Sequence, residues 1–404
     1  MGQSVILAAA SAPAGAIVSV PVPAAGCDLL ELFAGVSDGR AGQGRDHPVA
    51  AVLALAAAAV VAGMKGYAAI TGWVADVPPA ILADLYLRGG AAPAPPPSKT
   101  TIWQVLADAA AGALDLAAGT WLMTLAGFTP PAAAGGEGCP RPLTQVRLDS
   151  KAVRGARDGD GNQVRLLAAL AGPDAAASVV AAQAEVGVKT NEVPMAAVVL
   201  GQIDLNGKIV TADALHTVKA TANLIHDNGG EFVLPVKENR RALSGAPGAL
   251  PWGQVPIART ATGKGHGRIT TRTIQVLPAP EDLPFPHVSQ VFLIERYSYG
   301  LDGNLLGAVA VLGITSLDPG QAGAGELLAY LRGHWAIEMH HYVRDVTFGE
   351  DASRVSRAHQ AKAAVRNTII GILHLHQVPN IAAQLRACHR DPYRLPLTGN
   401  PVVT

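Results

Sequence analysis

The chain is poor in aromatic residues, in cysteine and in net charge. Only 4% of its 404 residues are Phe, Trp or Tyr, although 49% are apolar. Its core must therefore be built mainly from small and branched aliphatic side chains, and Ala-rich segments favour helices. The three cysteines, Cys27, Cys139 and Cys388, stand far apart and form no CxxC pair. That gives no basis for a zinc site or a disulfide framework, and it fits a reducing cytoplasm. Basic and acidic residues balance at 31 each, so the overall basic excess common in proteins that live on DNA is missing. The balance is uneven, however: residues 1–140 hold five Lys/Arg against nine Asp/Glu, which out of 31 each leaves 26 basic against 22 acidic beyond them.

Long hydrophobic runs are also scarce. The most apolar window, 49–64, is VAAVLALAAAAVVAGM, 16 residues long and mostly Ala; it reads as a buried helix rather than a membrane span. The N-terminus ends its first apolar stretch in AAGC, as a lipoprotein leader would, but it has no positive n-region and is broken by Pro21 and Pro23. A soluble, cytoplasmic protein is the expectation.

What is present divides into zones. Residues 1–27 are of low complexity, and 28–128 carry helical patterns: LLELFAGV, the Ala-rich run, AAITGWVADV, PPAILADLYLRG, and a long helix over 100–127 holding Trp103, Leu106, Leu114 and Leu116. A Pro/Gly-rich loop at 129–142 marks a domain boundary. From 143 the pattern becomes strand–strand–strand–helix–strand–helix–strand, with the DGDGN turn at 158–162 joining the first two strands as a hairpin. A β-rich insertion comes next, at about 240–325. Helix returns over GELLAYLRGHWAIEMHHYVRD and AKAAVRNTIIGILHLH, and 379–404 form a tail. The fold class expected is α+β, a mixed sheet flanked by helices.

Three acids stand out. Asp149 ends the apolar run VRL and Asp213 ends KIVTA, while Glu338 lies in RGHWAIEMHHY. Carboxylates at strand ends suit hard divalent cations. The plainer alternatives are a strand-end Asp closing a turn, an N-cap for the helix after Asp213, and a solvated helix face for Glu338. His334 and Glu338 are four apart and share a helical face, whereas Arg332 is six residues away, about 600° around the helix. No HExxH-type spacing supports zinc. In GKGHGRITTR, Lys264 accompanies His266, Arg268 and Arg272, which share one face in strand alternation. This stripe suits phosphate backbones or, equally, a charge-protected hairpin edge.

The stretches LLELFAGVSDGR, PPSKTTIWQVL, LDSKAVRGAR, TNEVPMA, TADALHT, FVLPVKEN, KGHGRITTR, RGHWAIE and DVTFGEDASR occur in order from about residue 28 to 375. Together they resemble the DDE transposases of bacterial insertion sequences, in the branch of the H-repeat-associated proteins. The resemblance implies a ribonuclease-H-like catalytic core over 143–378 with an inserted β-region, and an associated helical domain over 28–128. It implies that Asp149, Asp213 and Glu338 hold two Mg2+ ions, for which Mn2+ could substitute, and that the protein cuts and joins DNA, as a homodimer at the nucleoid. Lys151, Arg154, Lys237, Lys264, Arg268, Arg332, His334 and Trp335 fall at motif positions suited to DNA contact.

The chain departs from the family pattern in places. Ser150 stands where the pattern has Gly, and Thr271 where it has an acid. One residue is missing after Glu338, which on a helix rotates everything beyond it by about 100° and would misalign Asp345 and Glu350 unless a bulge absorbs it. With the altered end LTGNPVVT, these departures suggest a decaying copy.

Overall fold

The computed structural model describes residues 4–8, 17–21, 28–40, 42, 45–128, 143–187, 192–237, 241–265, 267–353 and 358–391. It divides into two compact units, the first made of residues 1–130, 150–203 and 336–404, the second of 131–149 and 204–335.

The first unit opens, within the low-complexity segment, with an antiparallel pair, β1 (Ser4–Ala8) and β2 (Ile17–Pro21). Helices α1 (Leu29–Ala34), α2 (Val49–Val61), α3 (Tyr67–Ala75), α4 (Pro79–Arg88), α5 (Lys99–Asp108) and α6 (Ala111–Leu125) come after it. Asp28 starts α1 with a reciprocal capping box to Glu31. The Ala-rich run is the buried helix α2. Among the described residues no single helix is long and apolar enough to cross a membrane. The helix expected over 100–127 is two helices bent by 79° at Ala109–Ala110; Ala is compatible with either reading, so composition alone could not reveal the break.

β3 (Thr144–Arg157) belongs to the second unit as far as Asp149 and to the first from Ser150 on. In the first unit it is followed by β4 (Gln163–Ala171), β5 (Val179–Val186) and α7 (Glu192–Leu200). The strands lie in the order β5-β4-β3, with β4 and β5 antiparallel. α6 packs on β5 so closely that a Cβ at Gly119 would sit 2.0 Å from the Ala181 carbonyl oxygen. Only glycine fits there.

The second unit holds β6 (Lys208–Ala212), α8 (Lys219–Asp227), β7 (Glu231–Val236), α9 (Arg241–Gly248), β8 (Arg259–Gly265), β9 (Arg268–Pro278), β10 (Gln290–Gly300), β11 (Leu305–Thr315) and α10 (Ala324–Gly333). The order is β3-β6-β7-β11-β10-β9-β8, with β3, β6 and β7 parallel and the rest antiparallel. Three consecutive strands, then two added in parallel across helices, make the mixed sheet that the residue pattern led us to expect, and it fits the ribonuclease-H-like fold that the resemblance implies. β8 escaped the pattern because it is almost wholly exposed and has no apolar alternation. α10 covers the inserted strands, packing Leu327 and Leu328 on Val233, Ile274 and Phe292.

The chain returns to the first unit with α11 (Ala336–Tyr342), α12 (His359–Leu375) and α13 (Ile381–Arg390). The long helix expected around Glu338 is therefore broken after Gly333, and α11 runs into a wide π-helical turn over Val343–Thr347. The tail begins with α13, capped by Asn380; 392–404 lie outside the described residues. So does the expected boundary loop at 129–142.

Candidate metal and nucleic-acid site

The register of β3 on β6 decides where the first two acids fall. Residues Thr144 to Leu148 pair with Lys208 to Ala212 in parallel, so Asp149 and Asp213 are the next residues on adjacent strands. Neighbouring strands lie about 4.8 Å apart, and both acids stand where this pairing ends. Asp149 is half-buried. Asp213 leaves the strand to cap the short helical turn Ala214–His216, its side chain accepting the Ala214 N–H. Lys237, at the end of β7, donates to the same Oδ1 at 3.1 Å. Partial burial raises the Asp213 pKa, but hydrogen bonds from Lys237 and Ala214, with the charges of Lys237 and His216, outweigh it and hold the carboxyl below its ordinary value. Asp213 thus caps this short turn rather than α8, whose N-cap is Val218, and its Oδ2 has no hydrogen bond among the described residues.

The C-terminus of α10 docks beside these strand ends. Gln145 and Arg147, both buried in β3, reach across to it. Gln145 Nε2 donates to Thr211 Oγ1 at 2.9 Å and to the Tyr330 carbonyl at 2.6 Å, and Arg147 Nε donates to the Gly333 carbonyl at 2.6 Å. The cation Arg147 thus satisfies the last carbonyl of the helix and the neutral Gln145 amide one a turn earlier. A Cβ at Gly333 would meet Gln145 Oε1 at 2.3 Å, so a larger residue there would displace the Gln145 side chain. His334 is next, with Nδ1 within 3.0 Å of Thr211 Oγ1. Burial, then the Arg147 charge, lowers its pKa to about 4 against the pull of Asp213, so it is neutral at pH 7. Sequence reasoning passed over Gln145 and Arg147. The available signal was two long polar residues alternating with Val146 and Leu148 in a buried strand.

The remaining residues separate by exposure. Glu338, in the first turn of α11 in the first unit, is exposed and has no hydrogen-bond or ion-pair partner among the described residues. Arg332, Lys237, Lys264 and Arg268 are exposed, and Trp335 is 53% exposed. His266 lies outside the described residues. Arg154 in the first unit is 81% exposed and 3.6 Å from Asp351.

Lys151 differs. It is buried, donating to Asp351 Oδ1 at 2.9 Å, with ionic contacts to Asp345 Oδ1 at 2.7 Å and Glu350 Oε2 at 3.6 Å. Three carboxylates already balance its charge, which leaves none for a phosphate; its role is structural. Asp345 and Glu350 are seated by their cationic partners. Ser150 donates to Glu192 at 2.8 Å.

Among the described residues no group of three or more His, Cys, Asp and Glu is gathered closely enough to hold a metal ion. The donor chemistry nevertheless fits magnesium, which is commonly bound through one or two carboxylates, with water and substrate phosphate completing the shell. Asp149 and Asp213, which follow the last paired residues of adjacent strands, offer carboxylates of that kind.

Comparison with known proteins gives this arrangement a family. The description "Transposase DDE domain" matches residues 142–372 and "DDE_Tnp_1-associated" matches residues 30–122. The chain belongs to the transposase DDE domain family. An uncharacterised protein in the dhlA 3′ region of Xanthobacter autotrophicus is 29% identical over 65% of this chain and 83% of its own length. YncI of Escherichia coli O157:H7, named as a candidate transposase, is 28% identical over 54% of this chain and 58% of that protein. YbfD of Escherichia coli K12, named as an H repeat-associated candidate transposase, is 30% identical over 26% of this chain and 44% of its own. The chain thus spans about half the length of the relatives named as transposases. A solved piggyBac transposase synaptic complex with hairpin DNA is 11% identical over 62% of this chain and 52% of its own, at a TM-score of 0.37, too low to carry an argument.

Proposed function

We propose that this protein cuts and joins DNA strands at the ends of an insertion sequence, with Asp149, Asp213 and Glu338 as its metal-binding carboxylates. What supports the reading is the pairing of β3 with β6, in which two motif acids end adjacent parallel strands, within a chain of the DDE family. Magnesium, as two ions and replaceable by manganese, would supply the charge that stabilises the attacking and leaving oxygens of phosphoryl transfer.

The chain's own groups do the rest. Asp213 is ionised at neutral pH, and Lys237 supplies an exposed counter-charge that a metal ion could displace. Neutral His334 adds no positive charge next to Asp213 at neutral pH. Exposed Arg154, Lys264, Arg268, Arg332 and Trp335 offer phosphate and stacking contacts along DNA. The partners are element-end and target DNA and a second copy of the chain, at the nucleoid of the cytoplasm.

The test incubates the full chain with duplexes carrying the element's terminal inverted repeats, in magnesium or manganese. Strand transfer that Asp149→Ala lowers by at least about a thousandfold, roughly 4 kcal/mol of barrier, supports the reading. Binding without cleavage would make the chain an inactive remnant, and cleavage with no end preference a metal-dependent nuclease. Cleavage unchanged in Asp149→Ala would remove the assigned site.

A further inference from the structure

The second unit carries an unbalanced cluster of arginines that the acids do not explain. Arg272 on β9 and Arg296 on β10 are directly opposed in the antiparallel register, so their side chains leave the same face of the sheet. Like charges placed so oppose folding. Neither has a hydrogen-bond or ion-pair partner among the described residues, and nor does Arg332. Two residues inward on the same strands, Ile274 and Ile294 lie under α10, which packs Leu327 and Leu331 there. The face is therefore apolar beneath α10 and becomes basic where the helix ends, at Arg332. Partial burial, then the charges of Arg332 and Arg296, press the Arg272 pKa down. Arginine stays charged all the same, and the repulsion persists.

The surroundings of the pair are bare. Along its row the neighbours are Ala261 on β8 and Val309 on β11, and the next row outward reads Gly263, Thr270, Ser298, Gly307. A Cβ at Gly263, Gly265 or Gly307 would meet nothing within 4 Å. Packing does not require these glycines; they leave the floor open. Arg268 continues the same face at its outer end. No acidic residue stands in these rows. The open face and the acids Asp149 and Asp213 flank the same C-terminus of α10.

We propose that Arg272, Arg296 and Arg332 form a clamp for the phosphodiester backbone of duplex DNA lying across the face of β8–β11, gripping it without regard to sequence. The inference rests on the DNA-processing reading above and adds Arg272 and Arg296 to it. Guanidinium forks suit phosphate oxygens bidentately, and a polyanion would remove the repulsion that the free protein carries.

The test is fluorescence anisotropy of the full chain on two labelled duplexes, one with the terminal repeat and one scrambled, across a salt series. Arg272→Ala/Arg296→Ala should weaken both duplexes about equally, by about tenfold or more, and flatten the log–log salt slope by about two units. Arg165→Ala in the first unit, paired with Glu192, is the control for loss of one charge and should change neither. Melting of the double variant should stay level or rise, because opposed charges have been removed. Arg296→Gln alone, expected to halve the slope change, covers the case in which the double variant does not fold. Unchanged affinity and slope in the variants, with wild type binding DNA, would overturn the clamp and leave the transposase reading standing. Wild type binding neither duplex would overturn both.

Discussion

Asp213 in the second unit and Glu350 in the first are both motif carboxylates, and the protein treats them oppositely. The Glu350 side chain is 1% exposed and held by Arg344 at 2.8 and 3.0 Å, by Arg366 at 3.0 Å and by Lys151 at 3.6 Å. Asp213 is 53% exposed and meets one lysine that is itself 62% exposed. Burial raises Glu350, but the Arg344 and Arg366 charges overwhelm it and carry its pKa down to about 2. Fixed cations neutralise one acid permanently; the other keeps a counter-charge that can be exchanged. An acid serving structure is enclosed by its partners, and an acid able to serve chemistry keeps access to solvent.

The contrast can be broken most sharply by charge removal. Glu350→Gln leaves Arg344 and Arg366 without their carboxylate in the interior, and should cost about 3–5 kcal/mol in urea unfolding. A loss below about 1 kcal/mol would mean that the network is not integral to the fold.

Acid titration probes the same group more gently. Glu350 has a depressed folded pKa, so its contribution is complete above its unfolded value near 4.5 and is lost as pH falls towards about 2. That amounts to on the order of 3 kcal/mol, from 1.36 kcal/mol per pKa unit, seen as a falling urea midpoint in that window. The fall should be smaller by about that amount in Glu350→Gln.

Asp213→Asn should have the smallest effect on stability, within about 1 kcal/mol, because its pair with Lys237 is exposed and screened. DNA strand cleavage should nonetheless disappear. Equal destabilisation by Asp213→Asn and Glu350→Gln would erase the distinction between the two acids.

Much of this was legible in the residues. The strand and helix order from Thr144 to Val236 comes from apolar runs closed by Gly, Asn and Asp, and the capping role of Asp213 from its place before Ala-Leu-His. β8 was not legible, because a strand exposed on both faces has no period-two signal. The break after Gly333 was hidden too, since Gln145 and Arg147 approach that glycine from a strand far away in the chain.

By itself the sequence determined which residue types are available: three motif acids, a basic stripe at 264–272, and a glycine before His334. Local propensity and motif order need only neighbouring residues. Tertiary structure alone decided what each charge is for. Lys151 and Arg154 are three positions apart in one motif, yet β3 buries the first among carboxylates and leaves the second in water. Arg272 and Arg296, in separate segments, become one site only through strand register. Burial and pairing depend on contacts between distant segments, and no local reading of the chain contains them.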